Sequence, residues 1–241
     1  MKIASINISG GFYIGNENQE YLDREAAEHI DDELLSQLIN FINTEAPDVV
    51  CFQEIITTPD INYIGRIVEN TRLKHYESFE LSPCNLVKDT DCGLAIMSHY
   101  PIEKTEKGLF PNPRIAKTTS SGNTYYTYDK GYLICDVNST KVLTHHGFPF
   151  RRFNSSAEEH PEVFKAFEDV IKQNNPDLIT GDFNTDSFMN LMNLPDYKRT
   201  IDDVTTVDGM KFDDILIKND VEFTKKIVRL LSDHFAVVVE I

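Results

Sequence analysis

Six short apolar runs in this chain each deliver a polar side chain at one end. Asn7 closes the first run, and Gln53-Glu54 follow DVVCF. His145-His146 follow VLT, and Gly181-Asp182-Phe183-Asn184 follow DLIT. Asp213-Asp214 sit at the start of FDDILI, and Ser232-Asp233-His234 precede the last run. Runs this short read as strands rather than buried helices. One or two such ends are ordinary turn chemistry, for which Gly, Asp and Asn are the usual residues. Six ends that each offer Asn, Asp, Glu or His describe a site carried on a rigid scaffold.

Between these runs the helical signals are sparse. Residues 31–46 form an amphipathic helix, with Leu34, Leu35, Leu38, Ile39, Phe41 and Ile42 at three-four spacing and acidic residues in the first turn. Pro47 prevents its continuation. A second such helix is expected over 158–173, and a weaker one over 61–73. Further strands are expected at 2–8, 48–53, 76–81, 92–98, 102–110, 125–137, 141–145, 177–181, 212–217, 222–230 and 235–241. Asn138-Ser139-Thr140 supplies a hairpin turn, and 112–123, rich in Pro, Ser, Thr and Gly, reads as a loop. Strands dominate, and several come in adjacent antiparallel pairs. The pattern fits two packed mixed sheets covered by helices, an α+β sandwich. No repeat and no linker divides the 241 residues, so 1–241 is taken as one domain.

Charge bears on the partners. The formal net charge is −16. A tight duplex-DNA binder usually carries a basic footprint, because counterion release supplies much of its affinity. Carboxylates gathered around a divalent ion can bias such a total, so a nuclease remains compatible with it. No apolar run approaches the roughly 20 residues needed to span a bilayer. The opening residues MKIASINISGGF read as a buried strand rather than a secretion signal, which leads to the expectation of a cytoplasmic protein. Cys51, Cys84, Cys92 and Cys135 form no CxxC pair. A bridge between Cys84 and Cys92 would need an oxidising compartment.

In order and spacing, SIN (5–7), PDVVCFQEI (47–55), GLAIMSHYPI (93–102), GDFN (181–184), FDDILI (212–217) and SDHFAV (232–237) resemble the endonuclease/exonuclease/phosphatase superfamily over almost the whole chain. The resemblance implies a four-layer α/β/β/α sandwich and Mg²⁺- or Mn²⁺-assisted hydrolysis of a phosphate ester. It implies that Glu54 holds the metal, hard divalent ions preferring carboxylate oxygen. Asn7 would assist at the metal or phosphate without adding charge, and Asp233 would support the metal shell. Asp182 lies where the family positions or deprotonates the attacking water. Asn184 would hydrogen-bond the charge developing on phosphorus. Asp213 would orient His234, whose protonated ring would stabilise the phosphoryl oxygens.

His145 and His146 both fit the remaining position. They point to opposite faces of a strand, so one of them should reach the site. His146 is preferred as the catalytic histidine, and His145 is assigned with Arg151 to substrate binding. A histidine here departs from the abasic-site endonuclease branch, where a Tyr and a Pro-containing turn occupy this place. Phe12, Tyr13, Phe148, Phe150 and Phe153 are candidates for a stacking surface, although core is the commoner fate of Phe.

The expected activity is therefore that of a phosphodiesterase or nuclease, acting on nucleic acid or on a small phosphodiester. A non-catalytic protein on the same frame should lack Glu54, Asp182 or His234, and all three are present. A lipid phosphodiesterase of sphingomyelinase type would usually be secreted and disulfide-bonded.

Overall fold

The computed structural model describes residues 1–11, 26–28 and 31–241. Phe12, Tyr13 and His29 lie outside the described residues, as does much of the acidic segment before the first helix. In chain order the first half comprises β1 (Lys2–Asn7), α1 (Asp32–Glu45), β2 (Val49–Ile56), α2 (Tyr63–Asn70), β3 (His75–Pro83), β4 (Asp91–Ser98), β5 (Ile102–Leu109), β6 (Ala116–Thr118) and β7 (Thr124–Tyr126). The second half comprises β8 (Gly131–Val137), β9 (Thr140–His146), α3 (Pro161–Asn174), β10 (Leu178–Asp182), α4 (Phe188–Leu191), β11 (Tyr197–Lys198), β12 (Asp213–Lys218), β13 (Thr224–Val228) and β14 (Ala236–Glu240).

Local chemistry sets the helix limits. The Asp31 carboxylate caps α1 by accepting from Glu33 and Leu34 N–H at 2.8 and 3.1 Å, an arrangement worth about 1 kcal/mol. Ala46 ends the helix in the left-handed region at φ 48, with Pro47 immediately after. The helix expected at 158–173 starts later, because Pro161 takes its first turn, where the missing N–H costs nothing. Glu159 instead closes a capping box with Ser156 on the short 3₁₀ turn before it. The run 125–137 is also corrected. It breaks into β7, which pairs with β6 inside the expected loop, and β8, which re-enters the main sheet at Gly131.

Two six-stranded mixed sheets result, in the orders β13-β14-β1-β2-β4-β3 and β11-β12-β10-β9-β8-β5. Each has one parallel pair at its centre, β1 with β2 and β9 with β10. The apolar residues separate into three layers. Leu35, Leu38, Phe41 and Ile42 of α1 and Ile67 of α2 pack on the outer face of the first sheet. Val163, Phe164, Phe167 and Ile171 of α3 cover the outer face of the second. Ile3, Val49, Ile96, Leu133, Val142, Leu178, Ile215 and Val237 fill the space between the sheets. The architecture is a four-layer α/β/β/α sandwich. No helix among the described residues is long and apolar enough to cross a membrane.

Strand alternation then decides which polar residues enter the gap between the sheets. Val142 and Thr144 of β9 face inward, and Leu143 faces α3. The Gln53 amide crosses the gap, donating to Thr144 Oγ1 at 2.9 Å and to Ser5 Oγ at 3.3 Å. Two residues beyond Ser5 and Thr144, Asn7 and His146 emerge at the same end of the sandwich.

Candidate active site

That end gathers Asn7 from β1, Glu54 from β2, His146 from β9, Asp182 from β10, Asp213 from β12 and His234 just before β14. Both sheets contribute. Several local conformations aim these side chains. Glu54 has φ +53 and sits in a bulge between β2 and β4, which turns its carboxylate out of the ladder. Gly181 has φ +147, and a Cβ there would lie 2.2 Å from the His145 carbonyl oxygen, so only glycine brings β10 this close to β9. Asn184 follows in the left-handed region at φ +53.

Asp182 is the hub. Its Oδ2 accepts from Asn7 Nδ2 and Asn184 Nδ2, both at 3.0 Å, and its Oδ1 accepts from Asn184 N–H at 2.8 Å. Burial, reinforced by the Asp213 and Glu54 charges and opposed by His234, pushes its carboxyl up to about 7. Asp213 approaches His234 Nδ1 at 2.9 Å, and His234 Nε2 lies 3.8 Å from Asp182 Oδ2. Burial works against a charged His234. The Asp213, Asp182 and Asp233 carboxylates outweigh it and hold the imidazole well above its usual range. His146 behaves oppositely. Burial first, then the Lys130 and His234 charges, keep it well below that range. Its Nε2 is 3.3 Å from Glu54 Oε1 and 3.6 Å from Asp182 Oδ2.

His146 shares the inward face with Thr144, and His145 lies on the other face. The His145 ring packs 4.3 Å from both Phe167 and Phe183, with neither ring nitrogen hydrogen-bonded. Burial there drops its pKa to about 3. This corrects the assignment of His145 to substrate binding, because an aromatic cluster separates it from the cleft. Arg151, expected to bind substrate, is exposed on the 3₁₀ turn Phe150–Phe153, and its neighbour Arg152 lines the cleft. Phe148 and Phe150 are core residues, 1% and 2% exposed, and Phe153 forms part of the cleft wall. Asp214 faces away from Asp213 and is held by Arg199 Nε at 2.7 Å.

Glu54, Lys130, Arg152, Asp182, Asn184 and His234 line the cleft. Lys130 carries no signal in the sequence, since a single lysine inside the strand expected at 125–137 reads as a solvated position. The turn at Asn138-Ser139, both residues at positive φ, nevertheless fixes the β8–β9 register with Tyr132 opposite His145. Two residues further along, Lys130 falls beside His146.

Glu54 and Asp182 offer hard carboxylate oxygens suited to Mg²⁺ or Mn²⁺, with the Asn7 and Asn184 amides beside them. Burial is the main cause of the raised Asp182, and a divalent cation would offset the repulsion that the Asp213 and Glu54 charges add to it. One ligand-type atom from each of Asp182, Asp213 and His234 also lies within 4.8 Å of the others. The Asp213–His234 hydrogen bond already engages two members of that group, so Glu54 with Asn7 is the better-suited holder. Asp233, expected in the metal shell, is taken up by a hydrogen bond from Ser9 Oγ and by Arg152 Nη2 at 3.8 Å. The four cysteines are free thiols.

The sequence profile described as "Endonuclease/Exonuclease/phosphatase family" matches residues 4–234. No curated protein matches the chain by sequence. Among solved structures, an endonuclease/exonuclease/phosphatase from Bacteroides vulgatus superposes with TM-score 0.62 at 16% identity, covering 99% of this chain and 97% of that one. TDP2 of D. rerio, complexed with single-strand DNA product, gives 0.60 at 18% identity, with coverage of 99% and 97%. A Bacteroides thetaiotaomicron mannosyl-6-phosphatase gives 0.58 at 12% identity, with coverage of 100% and 98%. At these identities the likeness is one of fold.

Proposed function

This chain belongs to the endonuclease/exonuclease/phosphatase family, and from that premise we propose that it is a divalent-metal-dependent phosphoesterase, a single catalytic domain hydrolysing a phosphate ester by in-line attack of water. The observation that carries the reading is the line Asp213–His234–Asp182. It sets a histidine held protonated at 2.9 Å from one carboxylate against a second carboxyl whose pKa is about 7.

A base near the operating pH is well matched to taking a proton from water, which is the role proposed for Asp182. Asn7 and Asn184, each donating at 3.0 Å, keep that carboxylate oriented. The His234 imidazolium offers Nε2 toward the cleft, placed to meet negative charge gathering on the non-bridging phosphoryl oxygens. Asp213 fixes the ring and its charge by accepting a hydrogen bond from Nδ1–H, and neutral His146 stands ready as a hydrogen-bond partner for the substrate. Glu54 with Asn7 would hold the ion, Mg²⁺ or Mn²⁺. When bound, that ion supplies positive charge that polarises the phosphate.

The relatives with named activities act on, or are bound to, phosphate-bearing molecules as different as single-strand DNA and a phosphorylated sugar. The first experiment therefore offers bis-p-nitrophenyl phosphate, p-nitrophenyl phosphate and a labelled oligonucleotide side by side, with Mg²⁺, with Mn²⁺ and with chelator. Hydrolysis that needs the metal and falls by ~10²-fold or more in both His234→Ala and Asp182→Asn is expected. Absence of turnover on all three substrates with metal present would refute the proposal. Preference for the diester or the oligonucleotide would support the phosphodiesterase or nuclease expected from the sequence.

A further inference from the structure

Lys130 is an unusual cation. It is only 8% exposed, yet it is one of the residues that line the cleft. Its hydrogen-bonding contacts are the two ring nitrogens of His146, Nδ1 at 3.0 Å and Nε2 at 3.2 Å. Among the described residues no carboxylate lies within ion-pair distance of it. An ammonium carries three donors, and a neutral imidazole offers one acceptor nitrogen. Two donors of a buried charge are therefore without an acceptor, in a wall that opens on Glu54, Asp182 and His234. A second cation, Arg152, lines the same cleft, with its Nη2 3.8 Å from Asp233. Burial, with the Arg152 charge adding, works against the Lys130 ammonium, and an anion bound beside it offsets that cost. The two remaining Lys130 donors can each meet an oxygen, which fits a group presenting several oxygens.

We propose that Lys130, with Arg152 beside it, forms the phosphate-binding wall of this cleft and selects a phosphate bearing two negative charges, as in a phosphate monoester or inorganic phosphate. The inference rests on the reading of the cleft as a phosphoesterase site and narrows its substrate class. A diester phosphate carries one charge and shields two of its oxygens with substituents, so it gains less from the same wall. Lys130 acts here as a substrate-binding residue, distinct from the groups that move protons.

The test is calorimetric titration of inorganic phosphate into the wild type, Lys130→Met and Arg152→Gln, all with Mg²⁺ present. It is paired with steady-state kinetics on p-nitrophenyl phosphate and bis-p-nitrophenyl phosphate. Losing a hydrogen bond to a charged group corresponds to a weakening of ~10- to 100-fold. That loss is expected in phosphate affinity for Lys130→Met, with KM for the monoester rising by a similar factor and kcat changing less. The diester KM should move by a smaller factor, and Arg152→Gln should shift phosphate affinity in the same direction to a lesser degree. Wild-type protein that binds no phosphate overturns the proposal. So does a folded Lys130→Met that binds it as tightly as the wild type, or one that loses equally on monoester and diester. If Lys130→Met does not fold, unchanged phosphate affinity in Arg152→Gln overturns it instead. Phosphate bound through Lys130 by a protein that turns over none of the substrates would refute the hydrolase reading and leave the binding wall standing.

Discussion

Asp182→Asn in metal-free protein has a stability consequence whose size follows from the site. Burial, with Asp213 and Glu54 adding, raises this carboxyl from 3.8 to about 7 in the folded chain. The native state therefore holds the proton more tightly than the unfolded chain does. That preference is fully present below about pH 4, shrinks by about 1.4 kcal/mol per pH unit, and is gone once the pH passes about 7. Between pH 5 and pH 8 the wild type should lose about 2.5 kcal/mol from this one group. Asparagine has no proton to lose. Its amide does turn a donor toward the Asn7 or Asn184 amides, at a cost of about 1–3 kcal/mol that does not depend on pH. The informative quantity is the difference between the two proteins as a function of pH. Urea unfolding followed by circular dichroism in chelator, at pH 5, 6.5 and 8, measures it. The difference should move by about 2.5 kcal/mol in favour of Asp182→Asn as pH rises. A difference constant to within about 0.5 kcal/mol, beyond the usual error of extrapolation, would mean that Asp182 is not the strained acid of the site. Adding Mg²⁺ at pH 8 should stabilise the wild type more than the variant, by mass action on the native state.

Two further substitutions separate residues that look alike in sequence. His145→Phe replaces a ring with two unpaired nitrogens inside an aromatic cluster and beside a small, mainly apolar cavity. Urea denaturation should show unchanged or greater stability, by up to about 1–3 kcal/mol, with activity retained. His146→Ala should lose ~10²-fold or more in turnover, and equal losses from the two would contradict the facing assigned to β9. Arg199→Met strands the fully buried Asp214, which otherwise accepts from Arg199 Nε and from the Thr200 and Ile201 N–H groups. A loss of about 3–5 kcal/mol is expected near neutral pH, shrinking in acid as Asp214 takes up a proton.

Much of the fold was legible because its signals are local. Asp31 and Pro47 bracket α1, the Asn138-Ser139 turn marks a hairpin, and each central strand is an unbroken apolar run. The site was legible as a set of strand ends. What stayed hidden depends on partners far along the chain. The facing of His145 and His146 follows from the Thr144 hydroxyl meeting Gln53 across the sandwich, and neither dipeptide nor period reveals which face that is. Arg151 and Arg152 sit on a 3₁₀ turn that buries Phe150 and Phe153, and tertiary packing alone decides which arginine turns inward. Lys130 required the hairpin register to be carried beyond the strand itself.

The division of the site between two sheets has a consequence for assembly. Asn7 and Glu54 stand on the first sheet, and His146, Asp182 and Asp213 on the second, so neither sheet alone can perform the reaction. Within the first sheet β1 pairs with β14, Lys2 opposite Glu240, and that pairing waits for the last strand to be made. Contacts so distant in sequence form slowly. A nascent or partly refolded chain is thus an inert one. Recovery of turnover should trail the return of secondary structure, making catalysis itself a late reporter of sheet docking.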